Sequence, residues 1–397
     1  MKTTTGQHNA YQARRYDIDW LRTLAFIILI YYHIGMYYVA QWDWHVKSQY
    51  QSESLQYLML LVNQWRMPLI FFIAGLVLAM VEPRMSARQL LKRRFLRVFV
   101  PLVIGMYLIV PPQVFFEATA NLGYAGGYWE FWQHYIQPHT KLLPEMRQSD
   151  LGLLTWNHLW FLMYLWVYTL VYLVIQPIMV RIGAGLERRA PSEFVLFCAP
   201  IIILTAVGLW LKPLYPKTNA LFDDWYNHGI YFSVFLFGYF TAKSERIWQT
   251  IISCRRFWVA SAVLNYISLM VIVKTDWISF NGDVWDACVQ VGVYTNMWSW
   301  LLAAVGYSGA YLNRSSPMLS YLNEAILPWY ILHQTVTIII AMTLAPMSLG
   351  GFYEPALLIV GTFAVCAALY WFIQHWNILR FIFGMKLKQR VRAHKNK

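Results

Sequence analysis

Charge is what this sequence has least of. Only 13% of its 397 residues are Asp, Glu, Lys or Arg, where a soluble domain carries about a quarter. Acidic residues are the scarcer sign, 19 against 32 Lys and Arg. A water-soluble globule is thereby excluded. Cysteine is also sparse: Cys198, Cys254, Cys288 and Cys366 show neither CxxC nor any metal-ligand spacing, so no disulfide framework and no metal site is expected. No 20–50-residue repeat is present, and the two halves lack the matched Gly/Pro-broken helices of inverted-repeat carriers, which counts against a transporter. The first apolar segment is followed by "QWDWHVKS" instead of a small-residue cleavage site, so it reads as a retained span and not a signal peptide.

What the sequence has in abundance is long apolar runs, with 58% hydrophobic and 18% aromatic residues. Runs of about 20 mainly apolar residues, enough to cross a hydrocarbon core of ~30 Å, recur from end to end. The expected fold is an all-α polytopic membrane protein with about ten transmembrane helices, at residues 20–41, 57–80, 95–115, 156–180, 194–212, 228–242, 257–273, 289–312, 324–345 and 355–376. With both termini cytoplasmic, the inner segments and their mouths hold 24 of the 32 Lys and Arg and the outer loops hold six, leaving Arg22 and Arg66 inside spans. The net charge of +13 is then a topology signal and requires no nucleic acid. Three regions follow: a cytoplasmic N-terminal segment 1–19, a membrane domain 20–376 with its longest outer loop at about 116–155, and a basic cytoplasmic tail 377–397. The tail "KLKQRVRAHKNK" suits anionic inner-leaflet lipid.

Against this background each polar residue inside a run is conspicuous. "RTLAFIILIYYH" carries Arg22 and His33 eleven residues apart. Eleven steps of ~100° make three turns plus about 20°, so the two share one helical face about 16 Å apart along the axis. Arg22 lies near the cytoplasmic end and either snorkels, pairs with Asp19 or anchors a ligand; His33 lies deeper and either hydrogen-bonds in the bundle or reacts. Arg66, in "NQWRMPLIFFIAG", sits at a similar depth with no snorkelling route, so it faces the bundle interior or a wet cavity. At the inner mouth of the third span, "ARQLLKRRFLRVFVP" places Arg94 and Arg97 on one helical face, where bidentate donors suit phosphates, although positive-inside bias alone also puts basic residues there. His158 and Trp160 in "WNHLWFLMYLWVY", and His333 in "ILPWYILHQTV", fit satisfied packing positions better than a site lining. The aromatic stretch "GYAGGYWEFWQHYIQPH" and Trp42, Trp44, Trp225, Trp277 and Trp285 fall in outer loops, where an interfacial belt explains them better than a platform for sugars.

Taken in order, Arg22 and His33, "WRMPLIFFIAG" (65–75), Arg94 and Arg97, "HLWFL" (158–162) and "YILHQ" (330–334) resemble the integral-membrane acyltransferase family 3. Within it, Trp44, His45, Val46 and Ser48 are most similar to the glucans biosynthesis protein C branch, whose members are held to succinylate osmoregulated periplasmic glucans. The resemblance implies a bacterial inner-membrane enzyme that moves a succinyl or acetyl group from cytoplasmic acyl-CoA to a hydroxyl of a periplasmic glycan, with no tightly bound cofactor. It implies donor binding by Arg22, Arg94 and Arg97, chemistry at His33 and Arg66, and an acceptor site near His45, His158, Trp160 and His333. His33 would serve as general base or would itself take the acyl group. Arg66 would stabilise the carbonyl oxyanion.

Overall fold

The structure, a computed structural model, describes residues 14–274 and 282–388. Most of the expected N-terminal segment, Trp277 and the end of the basic tail lie outside the described residues. The described chain is helical, with no named strand among its elements. Its helices are α1 (Tyr16–Tyr38), α2 (Leu55–Val81), α3 (Ala87–Arg94), α4 (Val100–Leu108), α5 (Pro111–Leu122), α6 (Tyr128–Tyr135), α7 (Trp160–Arg188), α8 (Glu193–Leu211), α9 (Trp225–Thr241), α10 (Glu245–Ser253), α11 (Arg255–Lys274), α12 (Asp283–Tyr311), α13 (Pro317–Leu344), α14 (Gly350–Ile373) and α15 (Asn377–Ile382). Seven helical stretches are long and apolar enough to cross a membrane: 16–38, 55–84, 87–122, 157–188, 193–211, 317–347 and 350–373. The other three expected spans coincide with α9, α11 and α12.

Local chemistry sets the helix boundaries. Ser86 opens α3 with a capping box: its hydroxyl accepts from the Gln89 N–H at 3.3 Å, and the Gln89 side chain accepts from the Ser86 N–H at 2.9 Å. Ser192 and Ser244 cap α8 and α10 in the same sense. Between α3 and α4 the chain does not continue as a plain α-helix. Pro101 has no N–H for the carbonyl of Arg97 four residues back, and its ring crowds that carbonyl. Residues Phe95–Phe99 form a π-helical segment, in which the Val100 N–H reaches five residues back to Phe95 O. The expectation that Arg94 and Arg97 share an ordinary α-helical face is therefore corrected, since Arg97 sits in this wider turn.

A second correction concerns the outer loop expected at 116–155. Pro111 and Pro112 start α5, their fixed φ angles and missing N–H groups being suited to a first turn. The helix runs to Leu122 and stops at Gly123, whose φ of 65° lets the Tyr124 N–H reach Ala118 O at 3.2 Å. Residues 116–122 thus belong to the bundle, and they bring Glu117 with them.

The centre of the bundle is α2, buried without a break from Arg66 to Ile73. Its most extensive partner is α9. A Cβ on Gly75 would meet Phe235 O at 1.9 Å, and one on Gly238 would meet Phe72 O at 2.0 Å, so the two backbones touch where they cross. α1 packs against α2, α13 packs against α1, and these two helices carry the remaining central polar groups. One end of the bundle gathers Arg22 and Asn323; the opposite end gathers Tyr38, Ser48 and Glu354.

Candidate functional site

The polar centre is organised by a series of hydrogen bonds whose directions can be assigned from carbonyl partners. His333, fully buried on α13, has Nδ1 at 2.7 Å from Tyr330 O and 3.2 Å from Trp329 O. Carbonyls only accept, so Nδ1 carries the proton and neutral His333 presents Nε2 as an acceptor. That acceptor lies 2.8 Å from His33 Nδ1 on α1. His33 must then donate from Nδ1, which leaves its Nε2 as a lone pair on a half-buried ring. Two histidines 300 residues apart make one oriented pair.

Arg66 stands beside this pair and is one of the charged groups nearest His33. It is only 8% exposed. Its guanidinium carbon lies 3.3 Å from the centre of the Tyr32 ring, and its Nη2 donates to Asn63 Oδ1 at 3.3 Å. The Tyr32 hydroxyl donates to the same oxygen at 3.1 Å. Among the described residues no carboxylate pairs with Arg66, and its Nε has no partner. A buried cation held only by an amide and a ring is poised for negative charge arriving from elsewhere.

His158 has a different character. Its Nε2 donates to Ile331 O at 3.1 Å, and its Nδ1 accepts from Gln113 Nε2 at 3.2 Å. Both nitrogens are committed, and the ring stands nearly perpendicular to that of His333 at 5.3 Å. Trp160 is not brought to the histidines; it packs among Phe71, Tyr164 and Tyr231. His45, in the loop after α1, bonds through Nδ1 to Glu117 Oε2 on α5. Its Nε2 lies 3.1 Å from Gln334 Nε2 and 3.2 Å from Asn157 Oδ1. Gln334 also donates to Gln113 Oε1 at 2.9 Å, so one polar web ties His45 to His158.

At the far end of α1, Arg22 donates to Asn323 Oδ1 at 2.6 Å and lies 3.5 Å from Asp19. Arg94 is close enough for the two guanidinium groups to repel, and Arg97 follows on the π-helical turn. Between this basic end and the histidines runs a narrow apolar crevice of about 20 Å³, bounded by α1 from Thr23 to Ile30 and by α13 from Leu322 to His333. Its lining reaches Thr23 and Leu322, the chain neighbours of Arg22 and Asn323, and also the His333 ring. Phe26 and Leu29, on the helical face that carries Arg22 and His33, form part of one wall.

Residues 15–371 match the family described as Acyltransferase domain, acyltransferase family 3. The chain belongs to acyltransferase family 3. No curated protein and no solved structure matches it. The matched region of this acyltransferase family 3 chain includes every residue of the polar centre and of the basic end up to His333. It also includes Gln113, Glu117, Asn157 and Gln334, which were not singled out from sequence. Gln113 and Glu117 stand four apart in an otherwise apolar stretch, a spacing that puts both on one helical face. Asn157 and Gln334 adjoin His158 and His333 and were overshadowed by them.

Proposed function

We propose that this membrane acyltransferase transfers a succinyl or acetyl group from acyl-CoA to a hydroxyl of a glycan on the outer face of a bacterial inner membrane. Osmoregulated periplasmic glucan is the acceptor that the likeness around Trp44, His45, Val46 and Ser48 favours. The topology proposed is ten spans with both termini cytoplasmic, so that the Arg22 end faces the cytoplasm and the His45 end faces outward. The excess of Lys and Arg in segments on the Arg22 side supports this orientation.

The donor's phosphates would be held by Arg94 and Arg97 with Arg22 beside them. The pantetheine arm would enter between α1 and α13, parting the crevice, and bring its thioester to His33. Arg66 would hydrogen-bond the carbonyl oxygen as negative charge develops on it. In direct transfer, His33 Nε2 takes the proton of the acceptor hydroxyl and the oxygen attacks the thioester carbon. The C–S bond then breaks, and the thiolate leaves with the proton from His33. In the two-step form, Nε2 attacks that carbon itself and passes the acyl group on. The observation that carries the reading is the free lone pair of His33 Nε2, fixed by His333, beside a buried arginine without a carboxylate partner among the described residues.

The test is to incubate purified protein in lipid nanodiscs with labelled acetyl-CoA and succinyl-CoA, and to weigh envelope glycans from cells with and without the protein. Free CoA release and a gain of acyl mass are expected. Intact donor together with unchanged glycans overturns the reading. His33→Ala should retain donor binding and lose transfer.

A further inference from the structure

His45 differs from the other central histidines in what surrounds its outer nitrogen. At His158 each ring nitrogen has a partner that suits one tautomer only, and His333 Nδ1 faces only carbonyls. At His45 Nε2 two partners of opposite kind converge: the Gln334 Nε2 amide, which donates, at 3.1 Å and Asn157 Oδ1, which accepts, at 3.2 Å. Neutral His45 is satisfied by the first and protonated His45 by the second. Nδ1 meanwhile is held by Glu117, which leaves Nε2 as the nitrogen that faces these two partners. Glu117 is in turn steadied by Gln148 Nε2 at 3.3 Å.

Three further observations mark this as a place where something binds. Asn157 Nδ2 is a buried donor with no partner among the described residues. Asn157 adopts a φ of 44°, a left-handed conformation. The His45 and Glu117 side chains remain 13% and 20% exposed, at the end of the bundle opposite Arg22. An orphan N–H donor beside a base able to take a proton fits an alcohol: the donor holds the hydroxyl oxygen and the base takes its hydrogen.

We propose that His45 is the general base for the acceptor hydroxyl and that Glu117 is its positioning residue, His33 being left to carry the acyl group. This rests on the acyltransferase reading above. First, His33 Nε2 attacks the thioester carbon, the C–S bond breaks and CoA leaves as thiolate. The acylated ring keeps its Nδ1 proton, hydrogen-bonded to His333 Nε2. Then His45 Nε2 takes the hydroxyl proton, the oxygen attacks the acyl carbon and the C–N bond to His33 breaks. His33 leaves as the neutral ring with its Nδ1 proton in place, and His45 releases its proton to solvent, where the thiolate takes one up.

The experiment compares the parent with His45→Gln and Glu117→Gln, using succinyl-CoA with a glucan acceptor and, separately, with hydroxylamine, a nucleophile that needs no base. Expected is an undiminished first equivalent of CoA release without acceptor, a loss of glucan transfer of 100-fold or more, of the order that general-base catalysis supplies, and parental rates with hydroxylamine. If glucan and hydroxylamine transfer fall together, the pair is structural and the proposal is overturned. Glucan transfer within about threefold of parent, against the 100-fold or more that loss of a general base entails, overturns it as well. A parent chain that releases no CoA refutes the acyltransferase reading itself, which is a separate outcome. Thermal unfolding of both variants shows whether each remains folded.

Discussion

Replacing His333 by leucine removes the acceptor that orients His33 while keeping a side chain of comparable bulk at a fully buried position. The bond lost is 2.8 Å long. Its loss leaves the His33 Nδ1–H unpaired at a cost of about 1–3 kcal/mol, or lets the proton move to Nε2, which escapes that cost by protonating the reactive nitrogen. The second route is the more damaging to chemistry, because a protonated Nε2 can neither take a proton nor attack a carbonyl. Positioned acid–base groups are worth about 10²–10⁴-fold in rate, so kcat should fall by at least 100-fold, or about 2.7 kcal/mol on the barrier. The KM for acyl-CoA should change little, because the site proposed for the donor's phosphates lies at the other end of α1. His333→Gln supplies an amide oxygen where Nε2 was and should recover much of the loss. Initial rates of labelled acyl transfer in nanodiscs measure both. A leucine variant within about threefold of the parent, or a glutamine variant as slow as leucine, refutes the tautomer argument, which requires a tenfold or larger separation.

Other consequences can be checked in the same preparation. Arg94→Ala with Arg97→Ala removes two charge-assisted donors worth about 1.5–3 kcal/mol each when engaged, so acyl-CoA affinity by calorimetry should weaken at least tenfold while the fold is retained. Ala325→Leu places a larger side chain in the crevice between α1 and α13; donor turnover at limiting acyl-CoA should drop several-fold with little change in thermal midpoint, and an unaltered rate would move the donor's path elsewhere. Gly238→Val puts a branched side chain where even a Cβ would meet Phe72 O at 2.0 Å. Overpacking of this kind costs about 1–3 kcal/mol or more, and the variant should show a lowered midpoint or fail to accumulate as folded protein.

Much of the helical frame was readable because a membrane helix must satisfy its own backbone and be apolar over its length. The first two expected spans, 20–41 and 57–80, lie close to α1 and α2. The third, 95–115, lies within the helical stretch 87–122, but proline shapes it locally: the π-helical turn precedes Pro101, and the helix that starts at Pro111 runs on through 116–122. That extension carries Glu117, whose partner is 72 residues away. His333 was visible as a histidine in an apolar run, but its role depends on an atom of α1 that no periodicity along α13 reports.

By itself the sequence determined the solvent the protein lives in, its helical character, the face shared by Arg22 and His33, and the resemblance to its family, all of which follow from properties local along the chain. Only the tertiary structure decided which nitrogen of His33 is free, that Arg66 lacks a carboxylate partner among the described residues, and that His45 sits between a donor and an acceptor. Those facts depend on which side chains from distant helices come within about 3 Å, the range over which a hydrogen bond acts.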